Sequence, residues 1–112
     1  MIDQVRPTDL DAWLAAQGGR GVVLDVREAP ELRAASIPPQ PGFELVAIPM
    51  NEIPARLGEL DAGKPVACLC HHGARSQRVG MFLAGNGFEH VANIAGGIDA
   101  WSRERDPSVP LY

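Results

Sequence analysis

The chain has 112 residues, of which 46% are hydrophobic and 21% are charged, and its formal net charge is -4 at pH 7. This length suits a single domain, which we place at residues 1–112, and the composition is typical of a soluble globular protein. No cluster of lysine and arginine is long enough to follow a phosphate backbone, and no apolar run approaches the roughly 18 residues that span a membrane. We therefore expect no nucleic-acid partner and no membrane partner.

Two features of the sequence bear on the cellular compartment. The chain contains only two cysteines, Cys68 and Cys70, and they are too close in sequence for an ordinary structural disulfide across a domain. Residues 1–6 lack the basic and then apolar blocks of a secretory signal. These features predict a reducing compartment, the cytoplasm.

Short apolar segments alternate with helical patterns along the chain. In the first half we expect helices between Thr8 and Gly18 and over residues 28–35, and strands at residues 2–5, 22–27 and 43–48. The third of these strands reads as buried, and the proline-rich residues 36–42 read as an irregular connection. Two charged side chains, Asp25 and Arg27, lie at the carboxyl end of the second strand, where open α/β sheets usually place their sites. We favour a supporting role for this pair, because charged groups near a sheet end usually pair for stability.

The second half continues the alternation. We expect a helix from Asn51 to Leu60, a buried strand that ends at Cys70, a helix over Ser76–Asn86, a strand over His90–Ile94 and a helix over Ile98–Arg105, followed by an extended tail. In the helix after Cys70, the side chains expected to face the core are those of Val79, Phe82 and Leu83. Strands that alternate with helices predict an α/β domain with a parallel sheet covered on both faces.

The segment that follows the strand carries the chemistry. It places His71, His72, Gly73, Ala74 and Arg75 directly after Cys70, in a connection too tight and polar to belong to a core. Glycine lets the backbone turn its N–H groups inward, and the first turn of the following helix adds further N–H groups. With the positive charge of arginine and of protonated histidine nearby, this setting favours a thiolate on Cys70. We therefore predict that Cys70 is a reactive nucleophile.

Cys68 lies two residues earlier on the same face of the strand, and we expect it to be packed in the core. A resolving cysteine, or a metal site built from Cys68, Cys70, His71 and His72, is the alternative. The spacing of these four residues differs from the separation of two to four residues usual in tetrahedral sites, so we expect no metal site. We also expect no cofactor.

Three ordered stretches of the chain resemble the signatures of the rhodanese family of sulfurtransferases, in its single-domain form. They are the active-site loop Cys70–Ser76, the N-terminal signature Leu24–Glu28 and the C-terminal signature Asn93–Trp101. The resemblance covers essentially the whole chain and implies a five-stranded parallel sheet with helices on both faces. It also implies that Cys70 accepts a sulfane sulfur as a persulfide and passes it on. The implied partners are a sulfur donor such as thiosulfate and a nucleophilic acceptor, either cyanide, a small thiol or a protein.

Two other functions are compatible with a cysteine loop of this kind. Cysteine-dependent phosphatases and arsenate reductases have a loop of similar pattern, but with five residues between the cysteine and the arginine. Here four residues separate Cys70 from Arg75, which makes a smaller cradle, suited to one sulfur atom rather than a phosphoryl group. A binding module without turnover is the third possibility, and the retained cysteine argues against it.

Overall fold

The computed structural model describes residues 2–112; Met1 lies outside the described residues. Five strands form one sheet in the spatial order β1-β5-β4-β2-β3, and every neighbouring pair is parallel. The strands are β1 Asp3–Val5, β2 Gly21–Asp25, β3 Phe43–Ala47, β4 Val66–Leu69 and β5 Val91–Ile94. The predicted five-stranded parallel sheet is confirmed. Its central strand is β4, and Cys70 directly follows it.

Helices cover both faces of this sheet. They are α1 Leu10–Ala16, α2 Ala29–Ala34, α3 Ala74–Gly85 and α4 Gly97–Ala100, and α4 continues as a wider π-helical turn over Trp101–Arg105. Short 3-10 turns lie at Pro7–Asp9, Met50–Glu52 and Leu57–Glu59. Each face of the sheet has its own hydrophobic core. Helices α1 and α4 contribute to one core, and α3 contributes to the other. Among residues 2–112, no helix is both long enough and apolar enough to cross a bilayer.

The central strand places alternate side chains in the two cores. Ala67 and Leu69 pack in the core that contains α1 and α4, whereas Val66, Cys68 and Cys70 pack in the core that contains α3. This alternation follows from the two-residue period of a strand, and burial on both faces is usual for a parallel sheet. The expectation that Cys68 shares a face with Cys70 and lies in the core is confirmed, because Cys68 is fully buried.

Three sequence-based expectations about local structure are wrong. The third strand lies at an edge of the sheet, and only Phe43 in it is buried. The helix predicted from Asn51 to Leu60 is replaced by two short 3-10 turns, since Pro54 removes one backbone donor and Gly58 weakens the helix further. The side chain of Phe82 is 38% exposed instead of facing the core. In α3 the buried stripe consists of Ser76, Val79, Gly80 and Leu83.

Backbone contacts join the start of α4 to the loop that follows β4. The Ile98 N–H donates to the carbonyl oxygen of Cys70 at 2.8 Å, and the Asp99 N–H donates to that of His71 at 3.2 Å. This close approach requires glycine at position 97, where φ is +63°. A Cβ atom at Gly97 would lie 2.4 Å from the His71 oxygen and 2.5 Å from the Cys70 oxygen. The geometry of the cysteine loop therefore depends on Gly97.

We expect Gly97→Ala to lower the free energy of unfolding by more than about 2 kcal/mol, because it adds a backbone clash to a left-handed conformation. Gly85→Ala is the matched control, since Gly85 ends α3 with open space around the added methyl group. The control should change stability by less than about 1 kcal/mol. Urea unfolding of both variants measures the difference, and equal stabilities would contradict this account of the α4 contact.

Candidate active site

Cys70 lies at the end of the central strand with two donors near its sulfur. The Gly73 N–H donates to Sγ at 3.0 Å, and Oγ of Ser76 lies 3.2 Å from the same atom. Gly73 adopts a left-handed conformation with φ of +108°, which turns its N–H toward the sulfur and lets α3 begin at Ala74. Cys70 itself is 1% exposed. The sulfur thus lies on the floor of the loop, in a setting that favours a negative charge on it.

A buried polar network orients Ser76. The Asn93 amide donates through Nδ2 to Oε1 of Gln4 at 3.0 Å and to the carbonyl oxygen of Gly73 at 3.2 Å. These two bonds direct Oδ1 of Asn93 toward Ser76, whose hydroxyl donates to it at 2.5 Å. The sequence alone predicts no role for Ser76 or Asn93, although both lie in the stretches that carry the family resemblance.

The hydroxyl of Ser76 has one hydrogen and two possible acceptors, Oδ1 of Asn93 and Sγ of Cys70. When Cys70 is a thiol, its S–H can donate to the serine oxygen while the serine donates to Asn93. When Cys70 is a thiolate, the hydroxyl hydrogen can turn to the sulfur. The network can therefore satisfy both protonation states of Cys70 without moving a heavy atom.

Cys68 has the opposite character. Burial, with a smaller contribution from neighbouring Cys70, raises the pKa of the Cys68 thiol to about 12. A thiol of this kind stays protonated at neutral pH, so it is a poor nucleophile and a poor metal ligand. These properties favour a packing role for Cys68 over a resolving role.

Arg75 does not present a free positive charge to the loop. Its guanidinium forms a two-pronged ion pair with Glu31 of α2, at 2.7 Å from Nη1 to Oε1 and 2.8 Å from Nη2 to Oε2. The Glu31 carboxylate also accepts from the hydroxyl of Tyr112 at 2.9 Å. The sequence predicts a positive charge from Arg75 beside the loop, and the ion pair with Glu31 compensates that charge. Glu31 comes from a distant element, and nothing in its sequence context indicated this contact.

The histidine pair forms a stack with Tyr112. The ring of His71 lies between the rings of His72 and Tyr112, with centroid distances of 3.9 Å on each side. Nε2 of His71 lies 2.8 Å from the carbonyl oxygen of Tyr112. His72 is exposed at the surface, as is Ala74 at the start of α3. The tail that the sequence predicted only as extended thus borders the loop.

Asp25 and Arg27 form a buried pair beside this tail. Arg27 donates from Nε to Oδ1 of Asp25 at 2.9 Å and from Nη2 to Oδ2 at 2.7 Å. It also donates to the carbonyl oxygen of Ala35 at 2.9 Å and to the Tyr112 hydroxyl at 3.0 Å. Burial by itself would lower the pKa of Arg27, but the hydrogen bonds to Asp25 and Tyr112 outweigh it and raise the pKa. The supporting role stays a prediction, and these contacts are the reason for it.

The Glu31 ion pair predicts a pH dependence of stability. The hydrogen bonds from Arg75 are the largest cause that lowers the pKa of Glu31 from 4.5 to about 2. The pair therefore stabilises the fold fully above pH 4.5, and this contribution disappears as the pH falls toward 2. We expect Glu31→Gln to cost about 1–2 kcal/mol near neutral pH, after allowance for solvent screening. Urea unfolding across this pH range should show the gap closing in acid, and a gap independent of pH would contradict the assignment.

Comparison with known proteins places these features in a family. The family model of the Rhodanese-like domain matches residues 7–104. An adenylyltransferase and sulfurtransferase of Zea mays is 36% identical over 101 residues, which cover 88% of this chain and 22% of that protein. The chain thus spans about a fifth of that longer relative. The thiosulfate sulfurtransferase GlpE of Actinobacillus pleuropneumoniae is 33% identical over 102 residues, which cover 90% of this chain and 89% of that enzyme.

A solved structure agrees with the sequence relatives. The crystal structure of a rhodanese-related protein from Thermoplasma volcanium superposes with a TM-score of 0.77 and 31% sequence identity. The superposition covers 98% of this chain and 99% of that one. The parallel five-stranded sheet, the cysteine at the end of its central strand and the match over residues 7–104 agree with one another. The chain belongs to the rhodanese-like family of sulfurtransferases.

Proposed function

We propose that the chain moves a sulfane sulfur from a donor such as thiosulfate to a nucleophilic acceptor through a persulfide on Cys70. One observation carries this proposal: Sγ of Cys70 receives the Gly73 N–H at 3.0 Å and lies 3.2 Å from the Ser76 hydroxyl. Such donors stabilise an anionic sulfur without requiring a neighbouring general base. Membership in the rhodanese-like family supports the same chemistry.

In the first half-reaction the Cys70 thiolate attacks the outer sulfur of thiosulfate. A sulfur–sulfur bond forms to Cys70 as the sulfur–sulfur bond of thiosulfate breaks, and sulfite leaves with the bonding electron pair. The product is an anionic persulfide. Its outer sulfur lies about 2 Å from Sγ, the length of the new sulfur–sulfur bond.

In the second half-reaction a nucleophile attacks that outer sulfur. Cyanide gives thiocyanate and a thiolate gives a new persulfide, and in both cases Cys70 leaves as the thiolate. The Gly73 N–H and the Ser76 hydroxyl stabilise the leaving thiolate as they stabilised the attacking one. The same donors therefore serve both half-reactions, and no cofactor is required.

The charges around the loop bear on the choice of donor. Arg75 is paired with Glu31, and Arg27 is paired with Asp25. We infer that Arg75, with His71 and His72, contributes to donor binding, but that Glu31 weakens its attraction for a dianion such as thiosulfate. The ion pair also argues against the phosphatase alternative, since an arginine held by a carboxylate is not free to clamp the oxygens of a phosphoryl group.

The relatives support the donor and leave the acceptor open to experiment. A bacterial relative that matches along most of its length is named a thiosulfate sulfurtransferase. We propose the same donor for this chain, with cyanide, a small thiol or a protein thiol as acceptor. We also propose the cytoplasm as its compartment, which suits a chain whose two cysteines are both free.

Replacing each cysteine in turn tests the assignment of the nucleophile. Cys70→Ser should abolish thiocyanate formation from thiosulfate and cyanide, because serine cannot carry the transferred sulfur. Cys68→Ser should retain most of the turnover, since the Cys68 thiol is buried and protonated. The matched pair differs only in which sulfur is removed. An active Cys70→Ser enzyme, or a folded but inactive Cys68→Ser enzyme, would contradict the mechanism.

Replacing Glu31 tests the role of Arg75. Glu31→Gln removes the compensating charge, so KM for thiosulfate should fall roughly fivefold with little change in kcat, as expected for about 1 kcal/mol of added charge attraction. Glu44→Gln is the control, because it removes an equal charge from an exposed position on β3. Steady-state kinetics with thiosulfate measures both. An unchanged or higher KM in Glu31→Gln would show that freeing Arg75 does not help donor binding.

A further inference from the structure

We propose that His71, His72 and Asp99 form a binding site for a divalent transition metal, with Zn²⁺ as the expected ion. One ligand atom from each of the three side chains lies within 4.8 Å of the others. Two of these residues follow Cys70 in the loop, and the third comes from α4. In the sequence the two histidines stand beside the two cysteines, and the spacing of those four residues predicts no metal site. In the folded chain the third candidate ligand beside the two histidines is the carboxylate of Asp99 and not a cysteine, which the spacing in the sequence did not suggest.

The backbone holds Asp99 beside the histidines. Its N–H donates to the carbonyl oxygen of His71 at 3.2 Å, and the preceding Ile98 N–H donates to that of Cys70 at 2.8 Å. This contact is possible because Gly97 leaves no side chain between α4 and the loop. The carboxylate is therefore brought to the histidine pair by main-chain contacts and not by the chance orientation of a flexible side chain.

The hydrogen bond of His71 to the tail leaves one of its ring nitrogens available to a metal ion. Its ring is stacked between those of His72 and Tyr112, and Nε2 hydrogen-bonds to the carbonyl oxygen of Tyr112 at 2.8 Å. A carbonyl oxygen only accepts, so this bond holds the proton on Nε2 and leaves Nδ1 with a free lone pair. Metal-ligating histidines commonly donate their other ring N–H in this way.

The surrounding charges permit a cation. Arg103 pairs with Oδ2 of Asp99 at 3.0 Å, but its side chain is 63% exposed, so this pair is screened by water and easily displaced. Among the described residues, Oδ1 of Asp99 accepts no hydrogen bond. The nearby Arg75 is already compensated by Glu31. The positive charge that a divalent ion would have to displace is thus that of Arg103, which is exposed.

The ligand set determines the kind of ion. Two imidazoles and one carboxylate suit Zn²⁺ and leave a fourth position for water. Ligand atoms around tetrahedral Zn²⁺ are about 3.3 Å apart, so no pair of the three groups must close by more than about 1.5 Å. His72 must also leave its stack on His71, because a metal ion lies close to the plane of each imidazole that binds it. The exposed side chain of His72 can make this movement by rotation. The buried, protonated thiol of Cys68 is unsuited to the site.

The test is to titrate the full chain with Zn²⁺ in the absence of any sulfur donor and to measure binding by calorimetry. The wild-type protein should bind one Zn²⁺, and His72→Ala and Asp99→Asn should each weaken binding by more than about tenfold. His90→Ala and Asp9→Asn remove one histidine and one exposed carboxylate elsewhere, and they should bind zinc as the wild type does. Circular dichroism of each variant checks that it is folded.

Cys70→Ser separates this site from simple thiol coordination. It should retain zinc binding, because no cysteine is among the proposed ligands. The proposal is overturned if Cys70→Ser loses zinc, or if folded His72→Ala and Asp99→Asn bind it as tightly as the wild type. Because no sulfur donor is present, the result is independent of whether Cys70 forms a persulfide.

Discussion

The hydrogen bond from the Gly73 N–H to Sγ of Cys70 is the contact on which the rest of the site depends. The sulfur lies where a central, fully buried strand ends, so its partners must come from the next few residues of the chain. Only a left-handed residue at position 73 allows the chain to turn within this short distance and still direct an N–H at the sulfur. Once α3 begins at Ala74, its first turn brings Ser76 to the other side of Sγ.

Paired charges surround this loop. Each of three arginines around it is paired with a carboxylate. The pairs are Arg75 with Glu31, Arg27 with Asp25 and Arg103 with Asp99. The groups near Sγ of Cys70 that could stabilise a negative charge are therefore mainly oriented N–H and O–H dipoles. A site of this kind stabilises a charge on one sulfur atom and exerts a weaker pull on distant anions. This balance suits the proposed reaction, in which the negative charge held at Cys70 is always on a sulfur atom.

The parts of the structure that were predictable from the sequence depend on local patterns. An apolar strand, then a glycine turn, then a helix specified the Cys70 loop, and the alternation of strands and helices specified the parallel sheet. The residues from Asn51 to Leu60 have an apolar spacing that suits a helix, but Pro54 and Gly58 shift the balance to short 3-10 turns. Phe82 was misplaced because the buried stripe of α3 passes through Ser76, Val79, Gly80 and Leu83, and Phe82 lies beside this stripe, where its side chain is 38% exposed.

The contacts that sequence analysis missed join residues far apart in the chain. Glu31 and Tyr112 meet Arg75 and His71 only after the sheet has brought their elements together, and neither has a local pattern that marks it. Asp99 reaches the histidines through the main-chain contact at Gly97, which is likewise a property of the folded molecule. Sequence thus predicted a candidate nucleophile and specified its loop, whereas the partners that pair with the charges of the loop required the three-dimensional structure.

The most direct measurement of the central claim is the intact mass of the protein after mixing with thiosulfate, followed by peptide mapping. The account predicts the addition of one sulfur atom, located on the peptide that contains Cys70, and its removal by cyanide. No added sulfur on the folded protein, or a sulfur located on Cys68, would contradict the account.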